Sequence, residues 1–587
     1  MKKLTLFTAM IFAIGTLTAQ IIHVPADQPT IQEGINAASD GDTVLVAEDT
    51  YLENINFMGK AITVASNFIL DGDTSHISNT IIDGSQPDDP DIGSVVTLES
   101  GEDITSILIG VTITGGTGSI VQQNNVRVGG GINLINSGAS ILYNIIYNNN
   151  IIHQYFASGG GIDAMTTFGS ASLLILSNNK ISNNTVTSTF QADGGGVYIG
   201  MNAQILNNDI SSNELFSQGD YSFGGGIRIT PAFVPIEVEI KGNHFSYNSA
   251  TCVSESKGGI GGGFYITSNL ELTASISGNT IEYNTVVGDN SYGAGAFVRK
   301  VASDFVFENN IIKNNIATDG ECNGGGLTVW YGGGTYQNNV IQNNMGTWGG
   351  GICAIHNNSD SLAILINNTV TGNHSAYGGG LYMNLADAVV INTILWDNEA
   401  SEEGPEIFVL ESNLEVRNSD VEGGWPGNGN IDVDPVFRND GYHLYYPSEL
   451  VNAGVSTLLI NGEWYDCPEY DIDGDERPFE STEPDIGADE ALWYYVGVDE
   501  QSKTDVNVIV YPNPASSIIN FSIQNSNTVR SGGNKITLFN TDGRYVYESK
   551  ITESDFSINI NYLPSGIYFA KLNLGEFMIN KKIVINR

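Results

Sequence analysis

Short runs of alternating apolar and polar residues recur through the middle of the chain, and each run directly follows a glycine triplet. In every run the first and third residues are apolar while the middle one varies, as in Val197, Tyr198 and Ile199. This period of two predicts a short strand with one buried face. One triplet reads Gly-Ala-Gly, and the nine triplets begin 25 to 37 residues apart, at Gly129, Gly159, Gly194, Gly224, Gly261, Gly293, Gly324, Gly349 and Gly378.

A second pattern follows the runs and consists of two asparagines five residues apart, with Ile, Phe or Val two residues after the first. Asparagine tolerates left-handed backbone and bonds locally in turns. When such residues stack in successive repeats, their side-chain amides are expected to form hydrogen-bonded ladders along the stack. The asparagine pairs begin at Asn144, Asn179, Asn208, Asn243, Asn279, Asn310, Asn339 and Asn368.

A repeat of this length with one half-buried strand cannot fold alone, so successive repeats must stack. The pattern therefore predicts an all-β fold, a right-handed parallel β-helix solenoid with one coil per repeat. The 69 glycines, the 41% of hydrophobic residues and the 15% of charged residues agree with an ordered protein. A stack of this kind grows without splitting into separate domains, which is consistent with a length of 587 residues.

The first residues have the composition of an export signal. A basic start is followed by the apolar stretch 4–17 and a plausible cleavage point after Ala19, so residues 1–19 are predicted to be a signal peptide. Thr30 and Glu33 have the spacing of a capping box before a short amphipathic helix. We expect this helix to close the open end of the solenoid, with residues 20–130 forming an N-terminal cap and the first coils. No other stretch is apolar enough to predict a transmembrane segment.

The last residues differ in charge and in pattern. Residues 506–587 carry 8 Lys+Arg against 5 Asp+Glu, whereas the whole chain has a net charge of −43. Strand patterns joined by Asp-Gly and Pro-Ser-Gly turns predict a C-terminal β-sandwich. The segments 510–515 (Val-Tyr-Pro-Asn-Pro-Ala) and 563–569 (Leu-Pro-Ser-Gly-Ile-Tyr-Phe) resemble the type A C-terminal sorting domain of the Bacteroidetes type IX secretion system.

This resemblance implies that residues 506–587 are recognised by the type IX secretion machinery. It also implies passage across the outer membrane after signal-peptide export, and removal of the tail. The mature protein is then expected to be extracellular or attached to the outer-membrane surface.

Two further segments resemble parts of secreted β-helix proteins. The block 23–55 is similar to the N-terminal cap of the pectin-lyase-like superfamily, and the segments 430–437 and 485–490 are similar to the closing region of choice-of-anchor proteins. These resemblances imply a fold and leave the activity open. The expected order is completed by β-helix repeats at residues 131–425, a C-terminal cap segment at 426–495 and a linker at 496–505.

The alternation places the middle residue of each run on the outer surface of the solenoid, so we expect function to lie there. Aromatic residues with interspersed Arg and Asp are what a polysaccharide groove requires, because rings stack on apolar sugar faces and charges bind hydroxyls or uronates. The alternative is that these aromatic residues pin loops against the outer wall. The candidate substrate-binding residues are Tyr198, Tyr265, Phe297, Trp330 and Tyr382.

Catalytic chemistry is less well marked. By resemblance, uronate lyases of this fold use an Arg or Lys base, and hydrolases use clustered aspartates. Asp163, Arg228 and Arg299 are candidates for such roles, but they form no recognisable family motif. The sequence therefore leaves open whether the protein is an enzyme; if it is one, a polysaccharide lyase or a glycoside hydrolase is expected.

One acidic segment suggests a cation. Asp471, Asp473 and Asp475 alternate around Gly474, as carboxylates do in calcium loops, and make calcium the one candidate cofactor. An acidic turn is the alternative interpretation, because the glycine is misplaced for an EF-hand and no distal glutamate follows. The net charge of −43 argues against nucleic acid as a partner.

Two functions of different classes remain from the sequence. The first is a surface or secreted β-helix protein that binds or processes polysaccharide, with uronate-containing glycans as candidates. The second is a non-catalytic adhesin or surface-structural protein whose aromatic residues contact a partner.

Overall fold

The computed structural model describes residues 19–121, 125–167, 172–268, 270–320, 323–356, 362–445, 448–479, 483–491, 507–524, 534–540, 545–574 and 577–586. The chain divides into two compact units, Met1–Ala491 and Leu492–Arg587. The predicted signal peptide lies almost wholly, and the predicted linker at residues 496–505 wholly, outside the described residues. The first unit is a parallel β-helix, and the second consists of antiparallel sheets.

Each coil of the β-helix contributes one strand to each of three long parallel sheets. The strand that follows the glycine triplet belongs to sheet 1. Its hydrogen-bonded strands, in order, are Ile55–Asn56, Val96–Leu98, Ile132–Ile135, Ile162–Met165, Val197–Gly200, Ile227–Ile229, Phe264–Thr267, Ala296–Arg299, Leu327–Trp330, Ile352–Ile355, Leu381–Asn384 and Ile407–Leu410.

Sheet 2 follows sheet 1 in each coil, and sheet 3 follows sheet 2. Sheet 2 consists of Ile21–Val24, Thr43–Val46, Thr63–Ser66, Ile107–Ile109, Ala139–Leu142, Leu173–Ser177, Asn202–Leu206, Ile236–Lys241, Leu272–Ser277, Val306–Glu308, Gly334–Gln337, Ala363–Ile366, Asp387–Ile391 and Asn413–Arg417. Sheet 3 consists of Asp49–Tyr51, Thr80–Asp83, Thr112–Thr114, Ile145–Tyr147, Lys180–Ser182, Asp209–Ser211, His244–Ser246, Thr280–Glu282, Ile311–Lys313, Val340–Gln342, Thr369–Thr371, Ile394–Trp396 and Asp420–Val421.

Between sheet 3 and the next glycine triplet, many coils add outer strands. One outer sheet consists of Asn150–His153, Thr185–Ser188, Glu214–Ser217, Ser249–Cys252, Thr285–Val287 and Ile316–Thr318. A second outer sheet consists of Gly259–Ile260, Ser222–Phe223, Gln191–Asp193, Phe156–Ser158, Val126–Val128, Gly118–Val121 and Ile92–Gly93. Two later outer strands, His374–Tyr377 and Glu399–Glu403, form a separate pair. Small apolar residues such as Ala157, Ala192 and Ala250 form a separate core for these outer strands.

The inward residues of the three main sheets form one continuous apolar core along the β-helix. The first and third residues of each run belong to it, including Ile162, Ala164, Phe264 and Ile266. Successive coils stack in direct register, so that Asp163 is the neighbour of Tyr198 and Tyr265 is the neighbour of Phe297. The predicted alternation and stacking are confirmed.

The asparagine ladders are also confirmed. The side-chain oxygen of Asn184 accepts the backbone N–H and the side-chain amide of Asn149, at 3.1 and 2.9 Å, and the amide of Asn184 donates to Asn213 at 3.0 Å. The same arrangement repeats from coil to coil in both asparagine files. The ladder that contains Asn184 ends at Asn398, whose backbone N–H and amide donate to the Glu406 carboxylate at 3.0 and 2.5 Å.

The first glycine of a triplet is required by its backbone conformation. Gly194 has φ +56°, and an added Cβ would lie 2.5 Å from the carbonyl oxygen of Val197. The middle position has no left-handed φ and is Ala294 in one repeat, although an added Cβ at Gly195 would lie 2.4 Å from the carbonyl oxygen of Gly225. The glycines therefore fix the sharp bend from the outer strands into sheet 1.

We expect Gly194→Ala to destabilise the β-helix by about 2–5 kcal/mol, from left-handed strain and steric overlap together. Gly200→Ala in sheet 1 is the matched control and should cost less, because Gly200 has no left-handed φ and an added Cβ there would meet no atom closer than 3.4 Å. The free energy of unfolding from denaturant titration measures both. Equal losses in the two variants would contradict the conformational argument.

A short helix covers the N-terminal end of the first unit. At the N-terminal end, helix Ile31–Ala37 begins after Thr30, whose hydroxyl accepts the Glu33 N–H at 3.1 Å, as predicted; the N–H groups of Ile31 and Gln32 donate to the Glu53 carboxylate. The described chain also contains the short helices Phe68–Asp71 and Ser75–Asn79 and the hairpin Thr457–Ile460 with Glu463–Asp466.

The segment after residue 430 packs against the side of the last coils. The amide of Asn367, on the turn between sheets 2 and 3, donates to the carbonyls of Asp485 and Gly487 at 3.1 and 3.2 Å. Ile486 and Leu450 lie in a small core with Ile394 of sheet 3. This region therefore covers a lateral face of the solenoid.

The second unit contains a three-stranded and a four-stranded antiparallel sheet. Their strands, in sheet order, are Asn507–Tyr511, Ile518–Gln524 and Asp555–Asn559, and then Tyr545–Lys550, Lys535–Asn540, Gly566–Leu574 and Phe577–Ile585. Both sheets contribute to one apolar core, which includes Phe521, Leu538 and Leu572.

Candidate functional site

The outer strands and sheet 1 meet at each glycine triplet and enclose a corner between them. The residue before the triplet faces the middle residue of the sheet 1 run. The Ser158 hydroxyl donates to the Asp163 carboxylate, and the rings of Phe223 and Tyr265 lie 5.2 Å apart. The predicted outward file therefore lines the inside of this corner.

The outward-pointing residues that line this corner are nevertheless buried. Asp163 is 0% exposed, and Tyr265, Phe297 and Tyr382 are each at most 3% exposed. The residues two positions on are more accessible, and among them Arg299 and Trp330 are half-buried. A ligand approaching the corner would therefore meet Arg299 and Trp330 first.

The N-terminal part of the corner is polar and closed. Arg228 forms an ion pair with Asp193, and its guanidinium lies 4.5 Å from the Phe223 ring, 5.5 Å from the Tyr265 ring and 5.8 Å from the Tyr198 ring. An arginine held between three aromatic rings and a carboxylate is well placed to stabilise the corner. The Arg228 guanidinium is therefore already paired with groups of the protein itself.

Asp163 lies next to this cluster. Burial raises the pKa of its carboxyl to about 7, although the hydrogen bond from Ser158 acts in the opposite direction. Its second oxygen is buried and has no hydrogen-bond partner among the described residues. Full burial separates this carboxyl from any ligand in the corner.

Further along the corner, a cavity of about 170 Å³ opens between the outer strands and sheet 1. We call it the aromatic pocket. Its lining residues are Tyr221, Phe223, Ile260, Tyr265, Tyr292, Phe297, Arg299 and Trp330.

The pocket combines a stacked ring pair, Tyr265 and Phe297 with planes within 4° of each other, with the tilted ring of Trp330. The ring planes of Trp348 and Tyr377 are within 10° of each other, so those rings cover each other's faces. In the pocket, the Trp330 ring is tilted by 56° from Tyr292 and by 69° from Phe297. Because Tyr265 and Phe297 are buried, the ring faces that the tilt leaves available to the cavity belong to the half-buried Tyr292 and Trp330.

Two donor side chains that line the pocket, Arg299 and Trp330, and the neighbouring Thr267 have no acceptor among the described residues. Within the described residues Arg299 makes no ion pair, and the indole Nε1–H of Trp330 and the hydroxyl of Thr267 are buried without a hydrogen-bond partner. Thr267 is the direct neighbour of Arg299 in sheet 1. At the rim, the Lys257 ammonium lies 4.4 Å from the Tyr221 ring and 3.7 Å from the Asp220 carboxylate.

The residues singled out from the sequence fall into three groups. Four of them line the aromatic pocket: Tyr265, Phe297, Arg299 and Trp330. Asp163, Arg228 and Tyr198 lie in or beside the closed polar cluster, and Tyr382 packs with Cys353 and Trp348 in a separate apolar cluster. The remaining pocket residues include Tyr221, Phe223 and Tyr292, whose only sequence signal is an aromatic residue shortly before a glycine triplet.

The acidic segment near residue 471 does not bring its three carboxylates together. The Asp471 oxygens accept backbone N–H groups from Asp473, Asp475 and Glu490 at 2.8 to 2.9 Å. Calcium prefers six to eight oxygen ligands, and this arrangement uses the central carboxylate to hold the turn. The residues do not fit a calcium loop, and calcium binding stays a prediction.

Asp473 instead belongs to a cluster around His443. The ring nitrogens of His443 lie 2.7 Å from an Asp440 oxygen and 2.6 Å from an Asp473 oxygen, and Asp489 is 4.0 Å away. Burial disfavours the imidazolium, but the hydrogen bonds to Asp473 and Asp440 outweigh it and raise the pKa of His443 to about 9. A protonated histidine therefore balances these carboxylates at neutral pH.

Comparison with known proteins identifies the second unit. Residues 509–586 match the family described as "Secretion system C-terminal sorting domain". The C-terminal unit is a type IX secretion sorting domain. Its presence means that the protein is exported to the cell surface or the extracellular space and is recognised by the secretion machinery.

The β-helix that precedes the sorting domain has weaker likenesses. No curated protein matches the chain. The Siphovirus 9NA tailspike receptor binding domain is 9% identical with a TM-score of 0.20, covering 96% of this chain and 98% of that one, which is too weak a likeness to carry an argument. None of the helices in the described part of the chain has the length and apolar character of a membrane span.

Proposed function

We propose that the exported β-helix binds polysaccharide at the aromatic pocket. The observation that carries this proposal is the convergence of tilted aromatic rings and unpaired donors in one open cavity. Sugar rings present apolar C–H faces and polar edges, and a site for them combines aromatic faces with hydrogen-bond donors. The pocket offers the rings of Trp330 and Tyr292 and the Arg299 guanidinium within the reach of one ligand.

The electrostatics of the pocket favour an anionic group on the sugar. The chain as a whole has a net charge of −43, but Arg299 and its neighbour Lys300 make no ion pair within the described residues. A guanidinium binds a carboxylate through two parallel hydrogen bonds, which fixes the orientation of the ligand. Uronate-containing glycans are therefore the substrate class that the pocket supports best.

The arrangement supports binding in preference to hydrolysis. Glycosidases need two carboxyl groups about 5–10 Å apart on either side of the scissile bond. None of the acidic residues that the structure describes lines the pocket, and Asp163 is fully buried in the neighbouring cluster. We therefore propose a glycan-binding protein of the cell surface or the secreted fraction.

We expect Trp330→Ala and Arg299→Gln each to weaken binding to polygalacturonate or alginate by about tenfold or more, since each removes a stacking face or a charged hydrogen bond. Affinity electrophoresis and calorimetry measure the loss. Tyr247→Ala is the matched control, because Tyr247 is an exposed aromatic residue stacked on Tyr283, away from the pocket. It should leave binding unchanged.

Two results would count against this proposal. Binding that survives both pocket variants would place the site elsewhere, and failure of the wild-type protein to bind any glycan would favour the adhesin. Absorbance at 235 nm, which reports unsaturated uronate products, should stay flat. A rise that Arg299→Gln abolishes would establish a lyase instead.

A further inference from the structure

We infer that the aromatic pocket takes a single anionic sugar ring, at the end or on a branch of a glycan, in preference to a run of internal residues. This inference rests on the proposed function and specifies its ligand. It replaces the groove expected from the sequence with an open pocket that is bounded along the solenoid axis and holds one ring.

The size of the cavity supports one ring. Sites for drug-sized ligands usually measure about 300–1,000 Å³, whereas an apolar cavity of about 150 Å³ holds one benzene molecule. The aromatic pocket, at about 170 Å³, is close to the second figure. One six-membered ring fits if its substituents project through the mouth.

The corner is closed on both sides of the pocket along the solenoid axis. Toward the N-terminal coils, the Phe223 and Tyr265 rings touch and the Arg228 guanidinium fills the space beside them. Toward the C-terminal coils, Trp348 stacks on Tyr377 with centroids 4.5 Å apart. These side chains occupy the positions that flanking sugars of a longer chain would need.

The unpaired donors indicate an acceptor-rich, anionic group on that ring. A buried donor without an acceptor is costly, so a site that holds several gains most from a ligand that satisfies them together. The Trp330 Nε1–H and the Thr267 hydroxyl are such donors, and both residues flank Arg299 in sheet 1. The half-buried Arg299 side chain lines the pocket and makes no ion pair within the described residues. A carboxylate or a sulfate has the oxygens to meet them.

The charge of the protein supports recognition of a single anion. A polyanion lying along a solenoid of this net charge would be repelled at every residue beyond the pocket. One anionic ring held beside Arg299 avoids most of that repulsion. Longer uronate chains therefore gain no additional favourable contacts.

Calorimetry with the full chain tests the inference, using methyl glucuronide, the uronate dimer and tetramer, glucose 6-sulfate and methyl glucoside. We expect the uronate monomer, dimer and tetramer to bind within about threefold of one another, since only one ring is held. The neutral methyl glucoside should bind about tenfold or more weakly, because it lacks the charged hydrogen bond. The sulfate arm distinguishes a general anion site from one shaped for carboxylate.

Arg299→Gln should reduce the affinity for methyl glucuronide to that for methyl glucoside, while Tyr247→Ala leaves the difference intact. Matching thermal midpoints for the variants and the wild type confirm that both fold. Affinity that rises tenfold or more from monomer to tetramer overturns the inference and leaves the proposed function standing. Absence of binding to every saccharide overturns the proposed function itself.

Discussion

Replacing Asn184 with leucine is expected to lower the free energy of unfolding by about 3–6 kcal/mol, because two to three buried polar groups lose their partners at about 1–3 kcal/mol each. The Asn184 oxygen accepts two hydrogen bonds from Asn149, and its amide donates to the Ile146 carbonyl and to Asn213. Leucine has the same branched skeleton and no polar atoms, so the variant leaves no cavity; its loss reports the ladder together with some overpacking, because two methyl groups are bulkier than the amide. Denaturant titration of the full chain measures it.

The neighbouring residue provides a matched control. Asn183 is exposed and adopts φ +54°, a conformation that glycine also accepts. Asn183→Gly should therefore change the free energy of unfolding by less than about 1 kcal/mol. A similar loss in both variants would mean that the turn, and not the buried ladder, stabilises this edge of the coil.

The regular part of the fold was predictable because the same residue types perform the same task in each coil. A strand with one buried face has a period of two, and a buried amide ladder requires asparagine at each step. The coils without these signals were harder to predict. Val96–Leu98 lacks a complete glycine triplet, and Ile407–Leu410 follows Gly404-Pro405-Glu406, where Glu406 ends the ladder.

The candidate site was only partly predictable, since alternation gives the direction of a side chain and not what covers it. Tyr198 and Asp163 point away from the main core as expected, yet the outer strands bury them. The pocket depends on ring tilts at Tyr292 and Trp330, which arise from packing between coils. No local pattern in the sequence encodes such angles.

The cluster at His443 was also not predictable from the sequence, because its members are far apart in the chain. His443, Asp473 and Asp489 are 16 to 46 residues apart in the chain. They meet because the segment after residue 430 folds back along the side of the last coils. Without a fixed spacing, the sequence offered only the local alternation of Asp471, Asp473 and Asp475.

Raising the pH from 5 to 8 is expected to destabilise the β-helix, and Asp163 should account for about 2–3 kcal/mol of the loss. Burial raises the pKa of Asp163 from 3.8 to about 7 in the folded state. Between these values the unfolded chain is ionised while the folded protein keeps its proton, so folding takes up a proton. Stability from this group is therefore greatest at low pH and falls as pH rises toward 7.

The Asp163→Asn variant isolates this contribution. Asparagine keeps an oxygen for the Ser158 hydroxyl and has no charge to bury, so the variant should gain about 2–3 kcal/mol over the wild type at pH 8 relative to pH 5. Part of the decline should persist, because burial also raises the pKa of Glu406 to about 8 and of Asp420 to about 7. Asp397→Asn, on an exposed turn, is the control and should follow the wild type. If the difference in stability between Asp163→Asn and the wild type is the same at pH 5 and pH 8, Asp163 is ionised in the folded protein at both values. Water inside the closed corner would then solvate its carboxylate.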